Sequence, residues 1–549
     1  MCGIIGIIST EHSSESRRKT KLMLEAIEHR GDRLPQLSQI ENVSLGCARL
    51  AIVGRDQAQQ PLTDSTNGIT VVFNGEIYNH RNLNREITGS NNSPSDTQVI
   101  LESYKKWGID YVNKLDGMFS ILLYDSSNGV VYASRDYFGI KPLYFLKTKQ
   151  SVYFASEIKA ITTVVPKDEL AQGVKAVPPG STLHCSVAVP YEINEIQNQI
   201  LPDIKIPKSE EGARRKLREF VRDAVWSMLD TDLPVGVLCS GGIDSSVILY
   251  EAMEYKKQRN CQLDLTAYCV GVPEPFSYPR PDSIDSVYAN YEHNQILQKL
   301  SMTDCQPLKI VNIELGSVIK LIPEVISSIE TFEPNHIRAG IANLALMKEI
   351  HEDGIKVVLV GEGADELLGG YHEFVECIAK YGYGKQLDEM FDVFSQELHK
   401  TQLKRVDRLS MACGIEARVP FLSKELASFI SALPNNWKIP MRNGKAAPKA
   451  ILREAYKRTL SRAVWARRKV PMGEGAGVGD NGDGGHFYEN ARKFITHQKA
   501  QNLMKQYPSF KLKDDEEAWY FHQFLQLFGP LSIASNRPTT NILPTEEYE

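Results

Sequence analysis

The sequence predicts two domains of different architecture, an α+β domain of layered sheets followed by an α/β doubly wound parallel sheet. Many short apolar runs separated by turn residues fill residues 1–190, which is typical of layered sheets. From about residue 205 strand and helix patterns alternate, which is typical of a parallel sheet covered by helices. The polar, proline-containing segment 192–209 is the expected boundary. We therefore predict domains at 1–195 and 205–534 and a disordered tail at 535–549.

In the first domain, short runs rich in β-branched and aromatic residues predict the strands. They lie at 3–8, 43–53, 69–73, 118–124, 130–134, 143–146 and 152–156, with helical patterns at 20–29 and 96–107. In the second domain, strands are predicted at 235–239, 265–272, 307–313 and 355–361, and helices at 211–229, 287–300, 316–330 and 338–352. The glycine-rich segment 473–485 cannot pack a core and predicts a mobile loop.

Composition narrows the class of protein. The 549 residues are 42% hydrophobic and 24% charged, with a net charge of -5, which gives no reason to expect a nucleic-acid or membrane partner. No apolar stretch is long enough to span a membrane, and the amino end lacks the basic flank of a signal peptide. Nine scattered cysteines, without metal-ligand spacing, predict a reducing, cytoplasmic location and no zinc site.

The most informative stretch is residues 233–246, LPVGVLCSGGIDSS. The apolar run at its start predicts a buried parallel strand, and a helical pattern follows the two glycines. Because glycines let the backbone approach closely and a helix N-terminus carries partial positive charge, this order predicts a phosphate-binding loop. Ser240, Ser245 and Ser246 add hydroxyl donors, and Asp244 is best explained as a magnesium ligand beside the phosphates.

An ordinary glycine turn with a capping serine is the alternative for this stretch, but the pattern SGG-x-DSS after a buried strand favours phosphate binding. The Walker pattern, with a lysine after the glycines, is absent. The string SGGIDSS instead resembles the pyrophosphate loop of the ATP-pyrophosphatase family, which transfers AMP to a substrate and releases pyrophosphate.

Cys2 is the second candidate centre. Removal of the initiator methionine would give its thiol a neighbouring α-amine, and the two groups have ordinary pKa values of about 8.5 and 7.7–8.0. They are matched for proton transfer, so the cysteine would be an activated nucleophile without a histidine. Taken alone, however, this cysteine has a simpler explanation, a residue that merely follows the start codon.

The surrounding motifs favour the nucleophile. MCGIIGI, HRGD at 29–32, ARLAIV at 48–53, NGEIYN at 74–79 and SRDYFGIKPLYF at 134–145 resemble the class II glutamine amidotransferase domain. The resemblance implies an N-terminal-nucleophile sandwich (αββα) in which Cys2 attacks glutamine and ammonia leaves. It implies that Arg49 pairs with the α-carboxylate, that Glu76 and Asp96 hold the α-ammonium, and that Asn74 and Gly75 line the oxyanion hole. The segment Leu50, Ala51, Ile52 and Val53 completes the implied glutamine-binding set. The family pattern HRGPD is HRGD here, without the proline.

Further motifs downstream complete a full-length pattern. VGVPE at 270–274, VGEGADELLGGY at 360–371, EARVPFL at 416–422 and NGKAAPKAILRE at 443–454 follow the pyrophosphate loop. Together they resemble the glutamine-hydrolysing asparagine synthetase family. The resemblance implies a ligase of amino-acid biosynthesis that uses L-glutamine, L-aspartate, ATP and Mg²⁺ and forms β-aspartyl-AMP, then asparagine, glutamate, AMP and pyrophosphate.

The resemblance also implies roles for individual residues of the second domain. Glu362 and Lys449 would be catalytic, Asp244 and Asp365 would hold magnesium, and Arg338 would face the acceptor substrate. The implied ATP-binding residues are Leu238, Ser240, Gly241, Gly242, Asp244, Ser245, Ser246, Val270, Val360 and Gly361.

The acceptor segment leaves alternatives open. The family pattern ETFDVTTIRAS is ETFEPNHIRAG at 330–340, so Asn335 and His336 replace two threonines. A same-build amidotransferase for another carboxylate, or a catalytically silent homologue, are the alternative functions. Intact Cys2, Arg49 and Glu362 argue against a silent protein. A homodimer is left open as the assembly.

Overall fold

The computed structural model describes residues 1–52, 58–90, 95–197, 199–271, 284–303, 305–312, 319–468 and 493–531. The chain forms two compact units, which we describe separately. The first comprises Met1–Ile200, Ser410–Gly414 and residues 524–531; the second comprises Leu201–Leu409 and Ile415–Gln523. The predicted loop at 473–485 and tail at 535–549 lie outside the described residues.

The first unit contains short strands and few helices. Its strands are β1 (Cys2–Ser9), β2 (Gln36–Ile40), β3 (Val43–Arg49), β4 (Leu62–Asp64), β5 (Ile69–Ile77), β6 (Gly117–Asp125), β7 (Val130–Arg135), β8 (Tyr144–Lys147), β9 (Ser151–Ala155), β10 (Lys175–Ala176), β11 (Ser181–Ser186) and β12 (Ile193–Gln197). Its helices are α1 (Ser13–Ala26), α2 (His80–Thr88), α3 (Asp96–Trp107), α4 (Tyr111–Lys114) and α5 (Ile158–Thr162).

Two antiparallel sheets form the two inner layers of this unit, in the orders β10-β8-β9-β1-β3-β2 and β12-β11-β7-β6-β5-β4. On β6, Leu122 and Tyr124 pack between the sheets, whereas Ile121 and Leu123 pack beneath α3. Both faces of this strand are buried, which explains its continuously apolar sequence. Helices α1 and α5 lie on the first sheet and α3 on the second, so the predicted αββα sandwich is confirmed.

Several boundaries differ from the sequence prediction. Helix α1 begins at Ser13 and not at residue 20, because the His12 side chain caps its first turn and polar residues there concealed the pattern. Strand β3 ends at Arg49, because the next backbone N–H groups, of Leu50 and Ala51, donate to the Met1 carbonyl and the Asp32 carboxylate. Strand β12 extends into the predicted linker, where its polar, mostly exposed residues suit a sheet edge.

The second unit contains one parallel sheet and most of the helices. Its strands are β13 (Val235–Leu238), β14 (Leu265–Val270), β15 (Lys309–Val311), β16 (Val357–Leu359) and β17 (Glu416–Arg418), with a small hairpin of β18 (Met441–Arg442) and β19 (Lys445–Ala446). The helices are α6 (Glu210–Ser227), α7 (Ile243–Gln258), α8 (Asp285–Leu300), α9 (Ile322–Ile329), α10 (Pro334–Glu352), α11 (Ala364–Leu368), α12 (His372–Tyr381), α13 (Lys385–Glu397), α14 (Gln402–Ala412), α15 (Lys424–Ala432), α16 (Asn435–Lys438), α17 (Ala450–Tyr456), α18 (Arg462–Trp465), α19 (His497–Gln506) and α20 (Asp515–Phe528).

The strand order β15-β14-β13-β16-β17 makes the sheet doubly wound. Every neighbouring pair in it is parallel, and the direction of winding reverses between β13 and β16. Ligands of such sheets bind beyond the carboxyl ends of the strands at this reversal. The predicted α/β class is confirmed, and the loops after β13 and β16 meet where a site is expected.

Helix α10 begins at Pro334 and not at residue 338, because proline is favoured in the first turn of a helix, where its fixed φ suits the chain. Among the described residues, no helix is long and apolar enough to cross a membrane.

Candidate active sites

Both backbone polar groups of Cys2, its N–H and its carbonyl, are hydrogen-bonded to side chains. It opens β1 opposite Arg49, the last residue of β3. Its N–H donates to Asn74 Oδ1 at 3.0 Å, and its carbonyl accepts from Arg30 Nε at 3.1 Å. Arg30 is itself fixed by an ion pair with Glu157 at 2.8 Å, and both of these side chains are fully buried. The position of the predicted nucleophile is therefore fixed by the sheet and by a buried charge pair.

The HRGD loop is hydrogen-bonded to the end of β3 and to the segment after it. The Asp32 N–H donates to the Arg49 carbonyl at 2.9 Å, and Asp32 Oδ1 accepts from the Ala51 N–H at 2.9 Å. The Asp32 side chain therefore connects this loop to the segment that follows Arg49, the strand residue opposite Cys2.

A narrow cavity of about 20 Å³ lies against Cys2. Its wall includes Arg49 on one strand and Glu76 and Asp96 from β5 and α3, with Leu50, Ile52, Gly75, Met1, Ala58, Gln60, Phe73 and Thr97. Both carboxylate residues are buried. One fixed cation and two fixed anions in one cavity match the two charges of a free α-amino acid. The cavity therefore brings together most of the predicted glutamine-binding residues.

Four predicted residues need separate statements. Ala51 is buried beside this wall, and Val53 lies outside the described residues. Gly75 has φ +151, and a Cβ there would lie 1.9 Å from the Met118 carbonyl oxygen, so only glycine fits. Asn74 uses Oδ1 for the Cys2 N–H, and its Nδ2 lies 3.4 Å from Ser120 Oγ. The oxyanion role of Asn74 and Gly75 stays a prediction.

The pKa of the Cys2 thiol is lowered to about 7. The largest cause is a hydrogen bond with the Cys47 thiol; burial opposes it, and the N-terminal charge and Arg49 assist. Burial and the neighbouring Cys2 raise the pKa of Cys47, so the proton stays on Cys47. A thiol with this pKa is substantially ionised near neutral pH, which makes it a nucleophile.

The sequence analysis missed Cys47, Gln60 and Thr97 as neighbours of Cys2. Gln60 Nε2 lies 3.9 Å from Cys2 Sγ and 3.4 Å from Thr97 Oγ1. Cys47 could have been found, because it lies two residues before Arg49 on the predicted partner strand and thus on the same face. Gln60 lies in the motif-free segment before β4, so no sequence signal pointed to it.

In the second unit, the loop 239–242 follows β13 and leads into α7. The Ser240 N–H donates to Ser245 Oγ at 3.1 Å, and Ser245 Oγ donates to the Gly242 carbonyl at 3.2 Å. Gly241 has φ +67, and a Cβ there would lie 2.4 Å from Tyr288 Cβ. Ser246 Oγ is buried, and none of the described residues forms a hydrogen bond with it. The predicted phosphate loop is therefore folded around the start of α7.

Lys449 connects the two predicted magnesium ligands. Its ammonium lies 2.5 Å from Asp365 Oδ1 and also contacts Asp244 Oδ2. Asp244 is in the first turn of α7, Asp365 is in α11 after β16, and Lys449 precedes α17. Three elements distant in sequence therefore bring two anions and one cation together at the reversal of the sheet. Asp244 Oδ1 is buried without a hydrogen-bond partner.

The predicted adenosine residues lie at adjacent strand ends. Leu238 ends β13 and Val270 ends β14, and Val360 and Gly361 directly follow β16. These three strands are neighbours in the parallel sheet. Glu362 comes next in the chain, 4.0 Å from Arg405 Nη2. The strand ends thus present both the ATP-binding candidates and the candidate base on one edge.

Arg338 forms an ion pair with another residue of the chain. Its Nε donates to Glu516 Oε1 at 2.9 Å, and its Nη2 also pairs with Glu516. Tyr520 donates to the same carboxylate at 2.9 Å. Arg338 therefore binds a carboxylate, as its residue type suggested, but this carboxylate belongs to the chain. Its role toward a substrate stays a prediction.

The sequence analysis also missed Arg467, which contacts the phosphate loop. Its Nη1 donates to the Ser240 carbonyl at 2.9 Å, its Nη2 to Asp285 Oδ1 at 2.6 Å, and its guanidinium lies 3.9 Å from the Tyr288 ring centroid. A single arginine far along the chain carries no pattern that would have predicted this contact.

Comparison with known proteins gives the same two-part division. A glutamine amidotransferase domain family matches residues 1–187, and the asparagine synthase family matches 216–382 and 379–528. A solved structure of glutamine phosphoribosylpyrophosphate amidotransferase from B. subtilis covers 58% of this chain and 92% of its own, at 14% identity and a TM-score of 0.32, too low to support an argument.

Curated relatives extend over nearly the whole chain. Asparagine synthetase [glutamine-hydrolyzing] 2 and 3 of Arabidopsis thaliana are 28% and 29% identical and share 97% of this chain and 88% of their own. Asparagine synthetase B [glutamine-hydrolyzing] of Escherichia coli is 29% identical over 97% of this chain and 92% of its own. Since the synthase family alone matches more than half of the residues, the chain belongs to the asparagine synthase family.

Proposed function

We propose that this protein is a ligase that converts L-aspartate to L-asparagine with ATP and the amide nitrogen of L-glutamine. The products besides asparagine are L-glutamate, AMP and pyrophosphate. The observation that carries the proposal is the pair of sites in one chain. One is an ionisable Cys2 thiol in a cavity lined by one cation and two carboxylates, and the other is a phosphate loop beside carboxylates at the sheet reversal.

In the first unit, the Cys2 thiolate attacks the side-chain amide carbon of glutamine. Arg49 binds the α-carboxylate in a bidentate manner, and Glu76 and Asp96 bind the α-ammonium, so the amide reaches the sulfur. The α-amine of Cys2, once Met1 is removed, passes a proton to the leaving ammonia. Asn74 and Gly75 stabilise the developing oxyanion. Water then releases glutamate.

In the second unit, the aspartate β-carboxylate attacks the α-phosphorus of ATP. The loop of Ser240, Gly241, Gly242, Ser245 and Ser246 binds the departing pyrophosphate, and Lys449 neutralises charge on the phosphates. A carboxylate is a poor electrophile, and AMP makes it reactive. Ammonia then displaces AMP, and Glu362 accepts the proton that the ammonia loses.

Magnesium fits the carboxylates beside this loop. Mg²⁺ prefers oxygen ligands and is usually held by one or two carboxylates together with substrate phosphates. Asp244 and Asp365 supply two carboxylates, and the buried Asp244 Oδ1 has no hydrogen-bond partner. When bound, the ion would neutralise the triphosphate and polarise the reacting phosphorus. The Lys449 ammonium would then move from the two carboxylates toward a phosphate oxygen.

A product assay tests the proposal. The protein is incubated with ATP, magnesium, aspartate and amide-¹⁵N glutamine, and products are measured by mass spectrometry. We expect ¹⁵N-asparagine, with AMP and pyrophosphate in equal amounts. AMP formation with another carboxylate but not with aspartate would support an amidotransferase of different specificity; no AMP with any acceptor would support a silent homologue. The cytoplasmic location and the homodimer stay predictions.

A further inference from the structure

The guanidinium expected at the acceptor site is already paired. Arg338 holds Glu516, whose side chain is only 1% exposed. Releasing Arg338 to a substrate would leave a buried carboxylate without its cation, which costs several kcal/mol. Another group must therefore bind the acceptor's second carboxylate.

We infer that Arg405 and His336 form the carboxylate-binding subsite for the acceptor, and that a dicarboxylic amino acid binds there through the carboxylate that does not react. The inference rests on the proposed function, because it assigns a residue pair to the acceptor of that reaction. It assigns Arg338 a structural role.

Arg405 has unused binding capacity next to the chemistry. Its Nε is buried and has no hydrogen-bond partner among the residues that the structure describes. Its Nη2 lies 4.0 Å from Glu362 Oε1, which is an ion-pair distance but too long for a hydrogen bond. A buried unbonded donor is rare in proteins and calls for an explanation, often a missing ligand or water. The neighbouring Glu362 follows β16, directly after the predicted ATP-binding residues.

His336 supplies the second buried polar atom. It lies in the first turn of α10 and is 7% exposed, and within the described part of the chain its Nδ1 has no hydrogen-bond partner. Burial, followed by the charges of Arg405 and Lys404, lowers the pKa of His336 to about 3. A neutral imidazole among cations can donate one hydrogen bond to an anion. Two elements thus present unbonded nitrogen atoms in one positive field.

The other charged residues near Arg405 do not neutralise its positive charge. Arg408 pairs with the fully buried Glu330 at 3.1 Å, and Lys404 donates to the Glu330 carbonyl at 3.2 Å. Glu330 is therefore occupied by its own partners. Among the described side chains, Glu362 at 4.0 Å is the anion that pairs with Arg405, and a carboxylate ligand would supply a closer one.

The chemistry identifies which carboxylate binds. A carboxylate in a tight guanidinium pair is a weaker nucleophile, because its charge is already shared with two N–H groups. The carboxylate on Arg405 must therefore be the spectator, the α-carboxylate of aspartate. The β-carboxylate would then extend past Glu362 toward the phosphate loop.

The test measures AMP formation by wild type, Arg405→Lys and His336→Ala, with aspartate and ATP varied separately. Lysine keeps the charge but loses Nε and the planar fork, so we expect the KM for aspartate to rise at least about tenfold in Arg405→Lys. For His336→Ala we expect a rise of about threefold. The KM for ATP should change by less than about twofold in both variants, and their glutaminase rates should match wild type.

Arg222→Lys is the matched control, because Arg222 is half exposed and pairs with the neighbouring Asp223. An unchanged aspartate KM in both subsite variants, or an equal rise in the ATP KM, overturns the inference. If Arg405→Lys makes no AMP, His336→Ala alone decides. If the wild type uses another carboxylate and not aspartate, the proposed function fails while the same variants still test the subsite with that acceptor.

Discussion

The two sites of this chain are prepared for their ligands in different ways. Around Cys2 the contacts are internal: its N–H and carbonyl are bonded, and Arg30 and Glu157 pair beneath it. At the parallel sheet, by contrast, four buried polar atoms form no hydrogen bond with any residue that the structure describes: Asp244 Oδ1, Ser246 Oγ, Arg405 Nε and His336 Nδ1. The first site is positioned before glutamine arrives, whereas the second is completed by its ligands.

The difference follows from where each site is built. Cys2, Arg49 and Gly75 belong to strands whose registers are fixed by long antiparallel ladders. Asp244, Asp365 and Lys449 belong to helix starts and loops after strands. Strands hold side chains rigidly, while loops can adjust to a charged ligand. We therefore expect variants of the first site to lose chemistry and variants of the second to lose ligand-dependent steps.

The largest effect is expected for Cys2→Ala. Removing the nucleophile should lower glutamine-dependent asparagine formation by at least about 10³-fold. Synthesis with ammonium chloride should continue at the wild-type rate, because adenylation uses residues of the other unit. Asparagine is measured with each nitrogen source; equal loss of both activities would contradict separate sites.

Retention of Met1 should have almost as large an effect. Met1 is 2% exposed, lines the cavity beside Cys2 and accepts a hydrogen bond from the Leu50 N–H at 3.0 Å. The methionine therefore fills space that glutamine needs and converts the Cys2 amine to an amide. Protein made with methionine aminopeptidase inhibited should lack glutaminase activity, and mass spectrometry reports the N-terminus. An active protein that still carries Met1 would refute the α-amine mechanism.

Asp244→Asn should affect only the second site. The substitution removes one of the two charges that Lys449 contacts, with little change in shape. We expect aspartate-dependent ATP–pyrophosphate exchange to fall about 10²- to 10³-fold, while glutaminase activity stays unchanged. Raising magnesium should recover part of the exchange if the residue binds the ion. Normal exchange at low magnesium would show that Asp244 only pairs with Lys449.

The same contrast explains what the sequence could predict. The layered sheets and the parallel sheet were predictable, because apolar runs such as the one with Leu122 and Leu123 specify buried strands. The family resemblance supplied the αββα order of the layers. Arg49, Glu76 and Asp96 were predicted by motif, and the structure brings them to one cavity. Sites built on strands can be predicted from the sequence, because the register of a strand follows from its local hydrophobic pattern.

Ion pairs between distant segments were not predictable. Arg338 had the residue type of a substrate ligand, but its partner Glu516 lies in a helix far along the chain. Arg405, in a helix, and Arg467, just after one, likewise reach the synthetase residues without a motif that marks them. Such contacts depend on tertiary packing, which hydrophobic periodicity does not encode.

The smallest effect tests how completely the first site is prepared. Cys47→Ala removes the main group that lowers the pKa of Cys2, so this pKa should rise from about 7 toward the ordinary value of a thiol. Because a higher pKa leaves less thiolate at neutral pH, a rise of about one unit should slow glutaminase about fivefold at pH 7. The acidic limb of the pH–rate profile should move to higher pH, and the rate should recover near pH 9.

Cys185→Ala, which alters another buried thiol of the same core, is the matched control. The pH dependence of iodoacetamide inactivation measures the Cys2 pKa directly. An unshifted profile for Cys47→Ala would mean that the charges of Arg49 and of the terminal amine are sufficient to activate Cys2.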